Sequence, residues 1–166
     1  MRCEVSQLSE QIFKIDQVIA GVIPTGDSKC RFDASVLERV IKSIINEKLN
    51  HENATMAETT GSGHDICPTF VVATSAASAD GPPVLFRSYG CTGHDADECP
   101  IWQAARYTSA APSFFKPMFV NVPAPGAWYI DGGLGHNNPS QLALDEARRI
   151  WPKVNRFCLV SIGTGR

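Results

Sequence analysis

The sequence has no strong excess of charge of either sign. It carries 15 Lys and Arg residues against 17 Asp and Glu residues, for a formal net charge of -2 over 166 residues. A protein that binds nucleic acid through the phosphates presents clustered positive charge, and the sequence shows no such cluster. We therefore expect no nucleic-acid partner.

Long apolar runs and a cysteine framework are also missing. The longest apolar stretch near the N-terminus, Val18 to Ile23, is far shorter than the roughly 20 residues of a membrane-spanning helix. The opening residues, MRCEVSQLSEQ, are polar and lack the apolar centre of a secretory signal. The six cysteines have no framework spacing. We therefore expect a cytoplasmic protein with free thiols.

The composition of the full chain is that of a globular domain. Apolar residues make up 43% of the chain and charged residues 19%, and the length suits one domain. Apolar residues at helical spacing predict one helix over residues 5–19 and a second, capped by Asp33, that runs to Leu49. The first helix begins almost at Met1 with nothing before it to cover its apolar face. We therefore expect the chain to lack the N-terminal portion of its domain.

Helices and strands alternate along the rest of the chain. The polar, aperiodic segment from Asn50 to Asp65 predicts a mobile surface loop. Beyond it the pattern predicts strands at Thr69–Thr74, Val84–Phe86, Trp128–Ile130 and Phe157–Ile162, a helix over Ile101–Ser109, and a helix from an N-cap at Asn138 to Pro152. This order predicts a layered α/β domain with helices on both sides of a sheet.

A short motif follows the third of these strands. Asp131, Gly132 and Gly133 stand where a strand ends, which is where loops carry the chemistry of α/β sheets. Asp-Gly-Gly by itself is most often a turn in which glycine supplies a positive φ. The flanking residues decide between a turn and a functional site.

Three longer segments carry a specific resemblance. The runs IWQAARYTSAAPSFFKP (Ile101 to Pro117), YIDGGLGHNNPSQLALDEA (Tyr129 to Ala147) and CLVSIGTG (Cys158 to Gly165) resemble the patatin-like phospholipase family. The resemblance covers nearly the whole chain. It implies a three-layer α/β/α, lysophospholipase-like fold, of which residues 1–166 would be a partial domain without its N-terminal portion.

The resemblance also implies a catalytic role for Asp131. The family hydrolyses lipid acyl esters with a Ser-Asp dyad, so Asp131 would be the proton acceptor, and Gly132 and Gly133 would keep the backbone close around its carboxylate. The dyad serine would lie in a G-x-S-x-G segment. The nearest matches, Gly26 to Cys30 and Phe86 to Gly90, each lack one glycine. We therefore expect no nucleophile in this chain and no hydrolysis by it in isolation.

Two functions remain in competition. The first is a lipid acyl ester hydrolase domain, acting on phospholipid, galactolipid or acylglycerol with transient contact at a membrane or lipid-droplet surface. The second is a non-catalytic lipid-binding or scaffold protein derived from the same family, so whether this chain is an enzyme stays open. Dyad chemistry requires no metal and no organic cofactor.

Two other features have a plain interpretation beside a functional one. Cys91, His94 and Cys99 could bind zinc, but their spacing matches no standard set of ligands, and a polar loop is the better interpretation. His136 follows the Asp-Gly-Gly motif closely. Because a dyad works without histidine, we interpret His136 as a loop residue.

The segment from Arg106 to Pro112 has small side chains that let a helix approach a sheet closely, and it resembles the region beside the family's cleft. Phe114, Phe115 and Phe119 could line an acyl pocket. Aromatic residues of this kind are more often core, and we expect core.

Overall fold

The structure is a computed structural model that describes residues 30–60, 67–78, 80–120 and 126–162. The helix predicted over residues 5–19 lies outside these ranges. The helices are α1 (Ala34–Leu49), α2 (Ile101–Thr108), α3 (Gly133–His136) and α4 (Ser140–Ile150), with a 3₁₀ helix at Ala57–Thr60. The strands are β1 (Phe70–Ser75), β2 (Val84–Arg87), β3 (Met118–Val120) and β4 (Ala127–Asp131).

The four strands form one sheet in the order β2-β1-β4-β3, and every neighbouring pair is antiparallel. Val71 lies opposite Phe86, and Ala73 lies opposite Asp131. The first two predicted strands, Thr69–Thr74 and Val84–Phe86, thus form and pair with each other. Strand β4, which ends at Asp131, has partners on both sides.

Helices cover both faces of the sheet. Helix α2 packs on one face, and Ala104 and Tyr107 join side chains from β1, β2 and β3 in the main hydrophobic core there. Successive residues of a strand point to opposite faces, so Phe86 faces this core and Arg87 faces away from it. On that second face Arg87 contacts Glu146 of α4. The predicted layered α/β architecture is thus confirmed.

Helix α1 begins and ends where its capping residues predict. The Asp33 side chain accepts a hydrogen bond from the Ser35 backbone N–H at 2.8 Å, and this bond holds the pKa of the carboxyl below its usual range. At the other end Asn50 adopts a left-handed conformation with φ of 55°. Leu37 and Ile45 are the buried side chains of the helix. The prediction of a helix between Asp33 and Leu49 is confirmed.

The segment after α1 was predicted to be a mobile surface loop over residues 50–65, and residues 50–53 are exposed while two later side chains are buried. Ala54 and Met56 are 4% and 5% exposed. The Met56 N–H donates to the Cys99 carbonyl at 2.8 Å, and the Ile101 N–H donates to the Ala54 carbonyl at 2.9 Å. Two apolar side chains therefore anchor a segment whose composition is otherwise polar. Residues 61–66 lie outside the described ranges.

The start of α4 differs slightly from its prediction. The helix begins at Ser140 with Pro139 at the cap position, and Asn138 stands one residue earlier. The Asn138 side chain nevertheless accepts from the Ser140 N–H at 3.2 Å. Within the described residues, no helix combines the length and apolar character that crossing a membrane requires.

The predicted strand at Phe157–Ile162 is wrong for the residues that the structure describes. They form no strand, and Leu159, Val160 and Ile162 are 49%, 76% and 92% exposed. An apolar run becomes a strand only where a sheet edge receives it. No described strand, including the outer strands β2 and β3, pairs with this run.

Candidate functional site

Asp131 is the last residue of β4 and is half-buried. Its backbone N–H donates to the Ala110 carbonyl at 3.1 Å, in the turn after α2. Its carboxylate oxygen Oδ1 accepts from the Gly133 N–H at 2.6 Å. Among the described residues, no serine or histidine side chain is hydrogen-bonded to this carboxylate. The strand end and the following helical turn therefore hold Asp131 from both sides.

The two glycines after Asp131 are required by close approach. A Cβ atom on Gly132 would lie 2.3 Å from the Val72 carbonyl oxygen of β1, and one on Gly133 would lie 3.0 Å from Asp131 Oδ1. Gly132 has φ of -62°, and neither glycine adopts a positive φ. The interpretation as a turn with left-handed glycine is therefore wrong. Any larger residue at Gly132 would push the motif away from the sheet.

A cavity of about 330 Å³ opens beside the motif. One wall consists of the apolar start of β1, and the other consists of polar groups from the end of α2 and from α3. The lining residues are Phe70, Val71, Val72, Thr108, Gly132, Gly133, His136, Asn137 and Pro139. A cavity with one apolar and one polar wall suits a ligand that is itself amphipathic.

His136 is the last residue of α3 and lines this cavity, so it is not the loop residue that was expected. Its backbone N–H donates to the Gly132 carbonyl at 2.8 Å. Asn137 follows it, and Asn137 Oδ1 would lie 3.8 Å from a Cβ atom on Gly133. The motif thus folds back so that His136 and Asn137 face the same cavity as the glycines.

The segment from Arg106 to Pro112 has a structural role in this fold. Ala110 is fully buried, and its carbonyl receives the Asp131 N–H. Tyr107 is 1% exposed, and its hydroxyl donates to Gln103 at 3.0 Å. The small side chains let the backbone after α2 reach the end of β4, as expected.

The three phenylalanines that follow do not all belong to the core. Phe114 and Phe119 are each 45% exposed, so the expectation of core is wrong for both. Phe115 is partly buried, and its ring lies 5.5 Å from that of Phe32. Phe119 lies on β3, which has one neighbouring strand among the described residues. Val120, the next residue of this strand, is 6% exposed and points to the main core, so Phe119 points to the opposite face of the sheet.

The cysteine and histidine cluster forms a tight turn. Cys91 and His94 are bonded to each other by both backbone N–H groups, at 2.8 and 2.9 Å. Within the described ranges, no group of three or more His, Cys, Asp or Glu side chains is placed to hold a metal ion. The geometry at these residues is that of a polar loop.

A buried ionic network on the second face of the sheet was not predicted. Glu146 is 2% exposed and accepts hydrogen bonds from Arg87, from the Tyr89 hydroxyl at 2.8 Å and from Arg149 at 2.8 Å. The bond from Arg87 is the main reason that the pKa of Glu146 falls to about 2. Burial raises the pKa of Tyr89 well above its usual range. The network fixes the helix that follows the Asp131 motif.

The sequence held a signal for this network. Glu146 lies between Leu142 and Ile150 on the apolar face of α4, where a carboxylate requires a buried partner. The pattern therefore marks Glu146 as paired but does not identify Arg87 as its partner.

Comparison with known proteins finds similarity over most of the chain. The family model described as patatin-like phospholipase matches residues 15–144. That range includes Asp131, Gly132 and Gly133 and covers well over half of the chain.

Individual relatives agree with this match. Calcium-independent phospholipase A2-gamma of Mus musculus is 32% identical over 96% of this chain, which corresponds to 20% of the mouse protein. The human protein of the same name is 30% identical with the same coverage. Probable inactive patatin-like protein 9 of Arabidopsis thaliana is 29% identical over 81% of this chain and 35% of the plant protein. The chain spans about a fifth of the length of the phospholipase relatives. It belongs to the patatin-like phospholipase family.

Proposed function

We propose that this chain supplies the base of an acyl hydrolase site, with Asp131 as the proton acceptor. The observation that carries the proposal is the fixed carboxylate at the end of β4, held by the Gly133 N–H at 2.6 Å. Asp131 Oδ1 makes that bond, while Oδ2 has no hydrogen-bond partner in the described part of the chain. Oδ2 is thus the oxygen available to a substrate or a nucleophile.

The chemistry follows from what a carboxylate can do at that position. A serine hydroxyl becomes a competent nucleophile when a positioned base takes its proton, and a carboxylate can do this without an intervening imidazole. The proton would return from Asp131 to the leaving alcohol, and the same carboxylate would then activate the water that releases the acid. No step requires a metal or an organic cofactor.

The serine and the oxyanion donors are supplied by another segment in this proposal, because the sequence holds no G-x-S-x-G. Loss of even one oxyanion donor costs about 10²–10³ in rate. The chain alone is therefore expected to show no turnover.

The proposed substrates are lipid acyl esters such as phospholipid, galactolipid or acylglycerol. The apolar wall of the cavity, formed by Phe70, Val71 and Val72, supports an acyl chain next to the motif. The mouse and human relatives are among those that carry phospholipase in their names. We place the reaction in the cytoplasm, at the surface of membranes or lipid droplets where such esters occur.

The test is a chimera in which a patatin-like segment carrying G-x-S-x-G precedes this chain. Release of fatty acid from phosphatidylcholine vesicles is measured for the chimera and for its Asp131→Asn variant. Loss of general base catalysis should lower the rate by at least about 100-fold. The matched control is Asp145→Asn, which changes an exposed carboxylate on α4. Equal rates for the chimera and Asp131→Asn would remove Asp131 from the mechanism.

A second candidate is a non-catalytic lipid-binding protein. It is favoured by the similarity to a relative named as probably inactive. This function predicts that the chain binds lipid vesicles without turnover and that Asp131→Asn binds them equally well. Vesicle flotation with both forms measures this directly.

A further inference from the structure

A second cavity, of about 410 Å³, lies between α2 and the sheet. This volume is within the range of small-molecule sites. The rings of Phe86, Tyr107 and Tyr129 line one side of it, with centroids 5.0, 5.6 and 5.8 Å apart. The hydrogen bond from the Tyr107 hydroxyl to Gln103 fixes the deepest of these rings. The aromatic side of the cavity is therefore preformed.

The charged side chains that line this cavity are acidic in the described part of the chain. They are Asp97 and Glu98, and no Lys, Arg or His lines the cavity there. Asp97 Oδ2 accepts from the Arg87 backbone N–H at 2.6 Å, so the position of this carboxylate is fixed. Glu98 is exposed at the rim. Burial keeps the Cys99 thiol neutral, with its pKa raised to about 12.

We propose that this cavity binds a small organic cation. Its ammonium group lies beside the carboxylates of Asp97 and Glu98, and its apolar part packs against Phe86 and Tyr129. The electron-rich faces of aromatic rings attract cations, and an alkylated ammonium gives up its water more readily than a compact ion does. Carboxylate and phosphate ligands are repelled by the same two side chains.

An inorganic cation fits this cavity poorly. A divalent metal requires several oxygen ligands at once, and within the described residues no three acidic or metal-binding side chains converge. The aromatic rings of the cavity would also supply none of the oxygen ligands that such an ion requires. The combination of three rings and two carboxylates selects a ligand that is both apolar and positively charged.

The cavity lies close to the candidate base. Tyr129 and Asp131 stand two residues apart on the same face of β4, which separates their Cα atoms by about 7 Å. The proposal of cation binding nevertheless does not depend on hydrolysis, because the groups that carry it belong to the cavity and not to the Asp131 motif.

The test uses the full chain and benzyltrimethylammonium as the probe, with binding measured by calorimetry and by tyrosine fluorescence. Benzyl alcohol and phenylacetate carry the same ring with neutral and negative substituents. The ammonium probe should bind more tightly than either, and added salt should weaken it because part of the attraction is electrostatic. Equal binding of benzyl alcohol would overturn the proposal.

The variants locate the site. Glu98→Gln removes one rim charge and should raise the dissociation constant about fivefold. Glu47→Gln removes another exposed charge, on α1, and should leave the dissociation constant unchanged. Unfolding curves of both variants are measured to check that the fold is intact. Binding that is insensitive to Glu98→Gln would contradict the proposal.

A competition arm identifies the source of the ammonium group. Displacement of the probe by phosphatidylcholine vesicles would assign the ligand as a lipid headgroup. Retention of the probe in their presence would assign it as a free cation. Either result supports an ammonium site, and the two differ only in the molecule that fills it.

Discussion

The carboxylate of Glu146 accepts two hydrogen bonds from the guanidinium of Arg87, at 2.6 and 3.0 Å, although the two residues are 59 positions apart. Both side chains are at least nine-tenths buried. The pair joins α4 to the end of β2 on the face of the sheet opposite the main core. It therefore fixes the helix that comes directly after the Asp131 motif.

Removing one partner of this pair should be costly. Glu146→Ala leaves the Arg87 guanidinium buried without its carboxylate, which typically lowers the free energy of unfolding by about 3–5 kcal/mol. Asp145→Ala removes the neighbouring exposed carboxylate and should change it by less than about 0.5 kcal/mol. Urea unfolding followed by circular dichroism measures both. A stability loss of the same size in the two variants would contradict the role of the pair.

The same pair predicts how stability depends on pH. The pKa of Glu146 is about 2 in the folded chain, below the value of about 4.3 expected when unfolded. A group whose pKa is depressed by folding stabilises the fold above its unfolded pKa and loses that effect as pH falls through the folded value. The free energy of unfolding should therefore fall between about pH 5 and pH 2. Glu146→Gln should lack this part of the decrease. If the free energy of unfolding of this variant and of the unchanged chain fell in parallel with pH, Glu146 would not be the group responsible.

Gly132→Ala should disrupt the motif. The added Cβ atom would lie 2.3 Å from the Val72 carbonyl oxygen, and overpacking against backbone lowers the free energy of unfolding by about 1–3 kcal/mol. Gly90→Ala is the matched control, because its nearest neighbour would be 3.6 Å away. Thermal unfolding of both variants tests the difference. If Gly132→Ala were as stable as Gly90→Ala, the motif would not approach β1 as closely as described.

The anchored part of the segment after α1 makes a further prediction. Met56→Ala empties a buried position in the main core and should lower the free energy of unfolding by about 2–5 kcal/mol. Leu49→Ala removes a side chain that is 46% exposed and should cost less than about 1 kcal/mol. Urea unfolding separates the two. Equal costs would mean that Met56 is not part of the core.

Local signals predicted the elements whose ends are determined by neighbouring residues. Helix α1 follows from Asp33 and an apolar face, and its cap forms within two residues along the chain. The pairing of β1 with β2 follows from two apolar runs separated by a turn-rich segment. In these cases the residues that make the contact are close together in the sequence.

Predictions failed where an element depends on a distant partner. The run from Phe157 to Ile162 has strand composition, but no described strand pairs with it. Glu146 required a partner that no local pattern could identify. The role of Gly132 depends on how near β1 comes to the motif, and this distance is a property of the folded sheet.

Fixing both ends of the Asp131 motif has a consequence for changes in chain length. Its first residue is held by pairing with Ala73 in β1, and the helix after it is held by Glu146. An inserted residue between Gly133 and Pro139 could not be absorbed by a shift of either end and would bulge into the cavity beside the motif. Peptide tags and fluorescent labels are therefore better placed at Asp80 and Gly81, in the connection between β1 and β2, than anywhere in this span.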